Sequence, residues 1–227
     1  MPTSREKILA QLKDISASPS DLAPDVADAQ EIIQQKLREI TPQNRDGLLQ
    51  QFKKELELVS GECYLAADED DMISFIANIL NDLNRPSVSV AGTAAVFRLQ
   101  EMLGERCQAI TFVAAHSLDG ESRKHDLARI PLAIASASFA IADTGTIAVC
   151  YDDVKSSLPF FLSDVVIVLI REDDVVANQF ELFQKIDKDK AKNMVFITGP
   201  SRTADIEKVL VLGAHGPHRL VVVVQKI

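Results

Sequence analysis

The first loop that could carry chemistry is Asp143-Thr144-Gly145-Thr146, which lies between two apolar segments. Gly145 permits a positive φ, so that two hydroxyls and free backbone N–H groups could surround an anion. Asp143 would then be the catalytic carboxylate, acting as a nucleophile or a base. The same residue types also favour an ordinary polar turn. The sequence leaves both interpretations open.

The second loop follows an apolar segment and opens a predicted helix. Its residues are Gly199, Pro200, Ser201, Arg202 and Thr203. Free N–H groups at a helix start attract phosphate or carboxylate, and Arg202 adds a guanidinium that can hold an anion through two hydrogen bonds. Alternatively, Ser201 or Thr203 only caps the helix, while acidic residues in its first turn neutralise the dipole.

The third loop carries two histidines, His215 and His218, on either side of a Gly-Pro turn. This spacing does not bring the two rings together, and a metal ion would need further ligands, so no metal site is predicted. His215 is instead a candidate general acid or base, because a neutral imidazole can exchange a proton near pH 7.

The composition restricts the partners of these loops. The chain has 227 residues and a net charge of -9, which disfavours binding to nucleic acid or anionic lipid. Cys63, Cys107 and Cys150 are too widely separated for a cluster-binding motif, and they indicate a reducing compartment. Residues 1–11 do not resemble a signal peptide, and no apolar run is long enough to span a membrane. We therefore expect a cytoplasmic protein without membrane insertion.

The elements that position the loops follow from the hydrophobic pattern. Residues 1–60 predict a helical extension of three helices, the third of which is capped at Thr41-Pro42, and residues 61–227 predict an α/β domain. The acidic run 68–71 predicts a helix start. The predicted strands are 63–66, 88–90, 109–114, 139–142, 146–151, 165–170, 194–198 and 220–225, and the later helices are 70–83, 94–103, 175–186 and 203–212. Strands 139–142 and 146–151 are too close for a helix between them, which predicts a hairpin or a kinked strand.

Segments 140–146, 157–159, 199–207 and 215–217 together resemble the LUD-domain family. The resemblance implies an α/β fold with three layers and a mostly parallel central sheet, akin to ribose-phosphate isomerase, CoA transferase and formyltetrahydrofolate cyclo-ligase. The family's Ala-[Glu/Asp]-[Thr/Ser]-Gly-[Thr/Ser] element falls on residues 142–146. Relatives commonly place a histidine after Ser157-Leu158-Pro159, whereas this chain has Phe160, so proton transfer from that position is not expected.

The resemblance also implies a place in a cytoplasmic three-protein system that oxidises L-lactate to pyruvate. Side chains cannot store two electrons, and the family places the iron–sulfur clusters on the partner proteins. We therefore expect a cluster-free subunit that binds a small anionic metabolite or a cofactor between the Asp143 and Gly199 loops. The identity of the cofactor is open, and a homo-oligomer is possible. The alternatives are a stand-alone enzyme, similar to CoA transferases or ATP-dependent cyclo-ligases, and a scaffold that only completes an interface.

Overall fold

The computed structural model describes residues 32, 35, 36, 42, 44–118, 122–151, 157–186, 193–201 and 216–226. The compact unit that contains the sheets runs from Pro42 to Ile227. In the preceding unit, Met1–Thr41, the described residues Ile32, Gln35 and Lys36 are helical and exposed. The first predicted helix, most of the second, the predicted helix 203–212 and the candidate residues Arg202, Thr203 and His215 lie outside the described residues.

The described part of the larger unit alternates between helices and strands. Its helices are α1 (Arg45–Leu58), α2 (Glu69–Leu83), α3 (Ala94–Arg106), α4 (Arg123–Ala128), α5 (Pro159–Leu162) and α6 (Gln179–Lys185). Its strands are β1 (Glu62–Ala66), β2 (Ser87–Ala91), β3 (Thr111–Ala114), β4 (Leu132–Ser136), β5 (Phe139–Ile141), β6 (Thr146–Tyr151), β7 (Val165–Arg171), β8 (Val175–Val176), β9 (Asn193–Ile197) and β10 (Arg219–Gln225).

Six strands form a central parallel sheet in the order β1-β10-β7-β4-β2-β3. Helices α2 and α3 pack on one face of this sheet. Helix α1, helix α5 and a second, four-stranded sheet in the order β8-β5-β6-β9 pack on the other face. Helix α6 covers the outer side of the second sheet. The prediction of an α/β fold with a mostly parallel central sheet is confirmed.

Local sequence signals explain where the helices begin. The Asp68 carboxylate accepts a hydrogen bond from the Asp71 N–H at 2.8 Å, so the acidic run caps α2 as predicted. Helix α1 begins at Arg45, later than the Thr41-Pro42 signal predicts, because Asn44 Oδ1 accepts the N–H of Gly47 at 2.7 Å. Asparagine is among the strongest N-cap residues, and it decides the start of this helix.

Tertiary pairing adds one strand to the predicted elements and shortens one predicted helix. Strand β4 was not predicted, because its alternating alanines carry little strand propensity, yet it lies between β2 and β7 with both faces buried. The predicted helix 175–186 begins instead as strand β8, which pairs in parallel with β5. Its helical part starts at Gln179, after Asn178 accepts the N–H of Glu181 at 3.0 Å. No helix among the described residues is long and apolar enough to cross a bilayer.

Strands β5 and β6 form the predicted antiparallel hairpin. Its turn packs against the backbone of α1: a Cβ on Gly145 would lie 2.2 Å from the Leu56 nitrogen. A Cβ on Gly199 would lie 2.6 Å from the Val59 carbonyl oxygen. Both glycines also have positive φ, at 60° and 76°. These two positions need glycine for conformation and for close packing against the end of α1.

We expect Gly145→Ala to lower the free energy of unfolding by about 2 kcal/mol or more, because the new methyl group meets backbone atoms in a left-handed conformation. Urea unfolding followed by circular dichroism measures the change. Gly104→Ala is the matched control: Gly104 lies within α3 with nothing near its Cβ, and the substitution is expected to stabilise by about 0.5–1 kcal/mol. Equal effects at both positions would contradict the packing assigned to Gly145.

Candidate functional site

The structure brings together the described parts of two loops that the sequence singles out. Thr146 Oγ1 and Thr198 Oγ1 form a hydrogen bond of 2.7 Å between the start of β6 and the end of β9. The Ser201 N–H donates to the Pro217 carbonyl at 2.8 Å, just before β10 begins. Both loops therefore lie at the amino edge of the central sheet, the edge at which its strands start.

Helix α1 occupies the space beside the two glycines of these loops. The backbone of its last turn, at Leu56, lies so close to Gly145 that a Cβ there would overlap it. The backbone of Val59, just after the helix, is similarly close to Gly199. Pro200 and Ser201 are half-buried, whereas Thr144 is exposed. Loop 199–201 follows β9, an antiparallel strand of the second sheet, and so does not follow a strand of the central parallel sheet. Anion binding by these residues stays a prediction.

Asp143 has an exposed side chain on the hairpin turn. Partial desolvation raises the pKa of its carboxyl above the ordinary value, and the negative charge of Glu55 acts in the same direction. Hydrogen bonds with the Thr144 side chain and the Asp143 backbone oppose this shift of the pKa. Glu55 lies on α1, so the helix that packs on the turn also sets the charge environment of this carboxylate.

A cleft of about 860 Å³ opens at the opposite, carboxyl edge of the central sheet. It lies where the chain leaves β2 and β4, which are neighbours in the sheet. After β2 the chain continues into α3 on one face, and after β4 it continues into β5 on the other. Such a topological switch point is where ligands bind in open α/β sheets.

Gly92 and Ser136 set the geometry of this cleft. Gly92 has a φ of 136°, and a Cβ there would lie 2.3 Å from Ser136 Oγ. The hydroxyl of Ser136 accepts the N–H of Thr93 at 3.2 Å. The turn after β2 is thus fixed directly against the end of β4, and α3 starts at the wall of the cleft.

Two ion pairs belong to the lining of the cleft. Arg98 of α3 contacts Glu69 of α2 at 3.1 Å. Arg171, at the end of β7, donates from Nε and Nη2 to the two carboxylate oxygens of Asp174 at 2.9 and 3.2 Å. All four side chains are partly or largely exposed, so the pairs form a charged rim of balanced sign.

Arg45 of α1 positions the short turn that carries Asp174. Its guanidinium donates to the carbonyl oxygens of Glu172 and Val175 at 3.1 and 3.0 Å, and it lies 3.7 Å from the Asp173 carboxylate. In the described ranges, no group of three His, Cys, Asp or Glu side chains is arranged to hold a metal ion.

Cys150 is a half-buried thiol in the lining of the cleft. Its backbone N–H donates to Ser138 Oγ at 3.0 Å, and its carbonyl accepts from the same hydroxyl at 3.5 Å. Cys63 and Cys107 are buried elsewhere, and burial raises the pKa of both thiols, that of Cys63 to about 12. Cys150 therefore has the most accessible of the three thiols.

Residue patterns did not predict this cleft, although the sequence contains one signal for it. A glycine-containing turn at 91–93 lies between a predicted strand and a predicted helix, the context in which parallel sheets bind ligands. The neighbouring strand β4 was not predicted, so the switch point could not be recognised. The remaining lining residues, among them Phe139, Val149, Phe160 and Cys150, come together only in the tertiary structure.

The fold and the cleft define a three-layer α/β protein with a ligand-sized crevice at the carboxyl edge of a parallel sheet. Residues 49–224 match the LUD domain, and the chain belongs to the LUD-domain family. This match includes the sheets, most of α1 and all of the elements around the cleft.

Curated relatives carry the name lactate utilization protein C. The protein from Bacillus pumilus is 34% identical over 89 residues, which cover 37% of each chain. The protein from Deinococcus radiodurans is 32% identical over 103 residues, which cover 44% of this chain and 48% of the relative. The chain thus matches less than half the length of these two relatives. Uncharacterized protein YkgG of Escherichia coli K12 is 22% identical over 228 residues, 96% of each chain.

A solved structure supports the fold. The crystal structure of a DUF162 family protein from Deinococcus radiodurans superposes with a TM-score of 0.57, covering 81% of this chain and 99% of that chain. Its sequence is 20% identical, so the comparison concerns architecture alone.

We expect one thiol to react with a disulfide reagent well before the other two at about pH 8, because the buried thiol of Cys63 has a negligible thiolate fraction there. Mass spectrometry of the labelled peptides is expected to identify Cys150 as the fast site. Cys150→Ser should remove the fast phase and leave the slow phases unchanged. A fast phase that survives this substitution would contradict the accessibility assigned to Cys150.

We expect the stability of Asp143→Asn to increase relative to that of the parent chain as the pH rises from about 4 to about 7. A carboxyl whose folded pKa is raised contributes stability below its unfolded pKa and loses that contribution as the pH rises through its folded pKa, and the amide has no such titration. Thermal unfolding of both proteins across this range measures the difference. Thr144→Val removes the hydrogen bond that lowers the pKa and should steepen the pH dependence. A pH-independent difference for Asp143→Asn would refute the assigned desolvation.

Proposed function

We propose that this chain acts in lactate utilisation as a ligand-binding subunit whose ligand occupies the carboxyl-edge cleft. The observation that carries this proposal is the position of the cleft at the switch point between β2 and β4. Family membership and the names of the relatives support the physiological role.

The oxidation of lactate to pyruvate removes two electrons and two protons, and amino-acid side chains do not provide an acceptor for this electron pair. The three cysteines of the chain lie far apart in sequence, and two of them are buried in separate hydrophobic clusters. We therefore propose that iron–sulfur partner proteins of a lactate-oxidising complex carry the clusters. This chain would supply a shaped binding site to that complex.

The amino-edge loops are the second candidate for binding. Asp143, Thr146 and Ser201 lie there, and Arg202 continues the same loop in sequence. A small anionic metabolite is the ligand that their residue types would favour. The backbone of α1 packs directly against Gly145 and Gly199, whereas the cleft has a defined volume at a switch point of the sheet, which is why the cleft is preferred.

A complementation assay tests the proposal. In a strain that lacks this chain, growth on L-lactate as sole carbon source is expected to fail, and the parent chain is expected to restore it. Ala95→Phe places a ring in the cleft from an exposed position in the first turn of α3, and should restore growth poorly or not at all. Ala128→Phe is the matched control, since Ala128 is exposed on α4 and is not part of the lining.

Growth on glucose should be equal in all of these strains. Normal growth of the deletion strain on lactate would refute the physiological role. Full restoration by Ala95→Phe together with failure of Arg202→Ala would move the ligand site to the amino edge.

A further inference from the structure

We propose that the cleft binds a cofactor-sized molecule with an aromatic ring system, and that free lactate is not its ligand. This inference depends on the proposed function only in taking the carboxyl-edge cleft as the ligand site. Three observations carry it: the size of the cleft, the chemistry of its walls and the pairing of its arginines.

The size of the cleft is the first observation. Its volume of about 860 Å³ lies within the range of roughly 300–1,000 Å³ that accommodates drug-sized ligands. Lactate has about six non-hydrogen atoms and fills only the space of a few water molecules of roughly 30 Å³ each. Most of the cleft would still be filled by water with lactate inside.

The walls of the cleft are the second observation. Val149 and Phe160 belong to the hydrophobic cluster between the two sheets, and Phe139 packs against the cluster beneath α6. Met72, Val96 and Leu99 belong to the cluster on the other side. These cluster side chains are almost fully buried, so the apolar surface that a ligand meets comes from the half-buried Phe139 and the exposed Ala94 and Ala95. Aromatic rings bury a large apolar area at low conformational cost, whereas lactate presents a single methyl group.

The arginines of the lining are the third observation. Arg98 already contacts Glu69, and Arg171 already holds both carboxylate oxygens of Asp174. A monocarboxylate bound to either guanidinium would compete with a carboxylate that the protein itself provides. The charged rim is open to solvent, so it suits the polar part of a larger ligand whose ring lies between the apolar walls.

Isothermal titration of the full chain with four probes tests the inference: riboflavin 5′-phosphate, NAD⁺, coenzyme A and L-lactate. At least one of the three ring-containing probes is expected to bind saturably, and L-lactate is expected not to bind. Ala95→Phe should raise the dissociation constant of that probe at least tenfold, while Ala128→Phe should leave it unchanged. The bound probe should also slow the alkylation of Cys150, which lines the cleft.

Circular dichroism checks that Ala95→Phe is folded. If the ring prevents folding, Ala95→Leu places a smaller side chain in the cleft instead. Saturable binding of L-lactate that is lost in the filled variant would overturn the inference and leave the cleft as the ligand site. Absence of binding by all four probes would overturn it as well. The growth assay decides separately whether the chain acts in lactate utilisation, because it does not depend on which ligand binds.

Discussion

The contact between Gly92 and Ser136 is the constraint on which the cleft depends. Two neighbouring parallel strands, β2 and β4, send the chain to opposite faces of the sheet, and their ends must remain close together. The backbone at Gly92 approaches the Ser136 hydroxyl so closely that no side chain fits there. Because the two connections diverge from this point, a gap must open above it. The cleft is thus a consequence of the order of the strands.

Helix α1 links the two edges of the central sheet. Arg45 at its start holds the turn between β7 and β8, next to the rim of the cleft. Leu56 and Val59 at its end close the amino edge against Gly145 and Gly199. The helix also buries apolar side chains in the cluster between the central and second sheets. One helix therefore contacts both edges of the sheet: its end packs against the described turns at the amino edge, and its start holds the turn beside the cleft.

Residue patterns alone predicted much of the fold, because hydrophobic periodicity and turn chemistry are local. The β5–β6 hairpin and the Asp68 cap follow from a few adjacent residues. Strand β4 was missed, since its burial comes from β2 and β7, which are distant in sequence. The positive φ of Gly145 was predicted correctly, but its cause is close packing by a helix almost ninety residues earlier in the chain. Whether a left-handed glycine serves an anion or a neighbouring backbone depends on contacts that local patterns do not contain.

Phe160 connects the sequence comparison with the chemistry of the cleft. The resemblance to the family places a histidine at this position in many relatives, and here a buried phenylalanine is part of the lining. A phenyl ring can neither donate nor accept a proton, and this one is buried in the same hydrophobic cluster as Val149. The departure from the family pattern thus replaces a titratable ring by one that can only pack in the hydrophobic cluster beside the cleft.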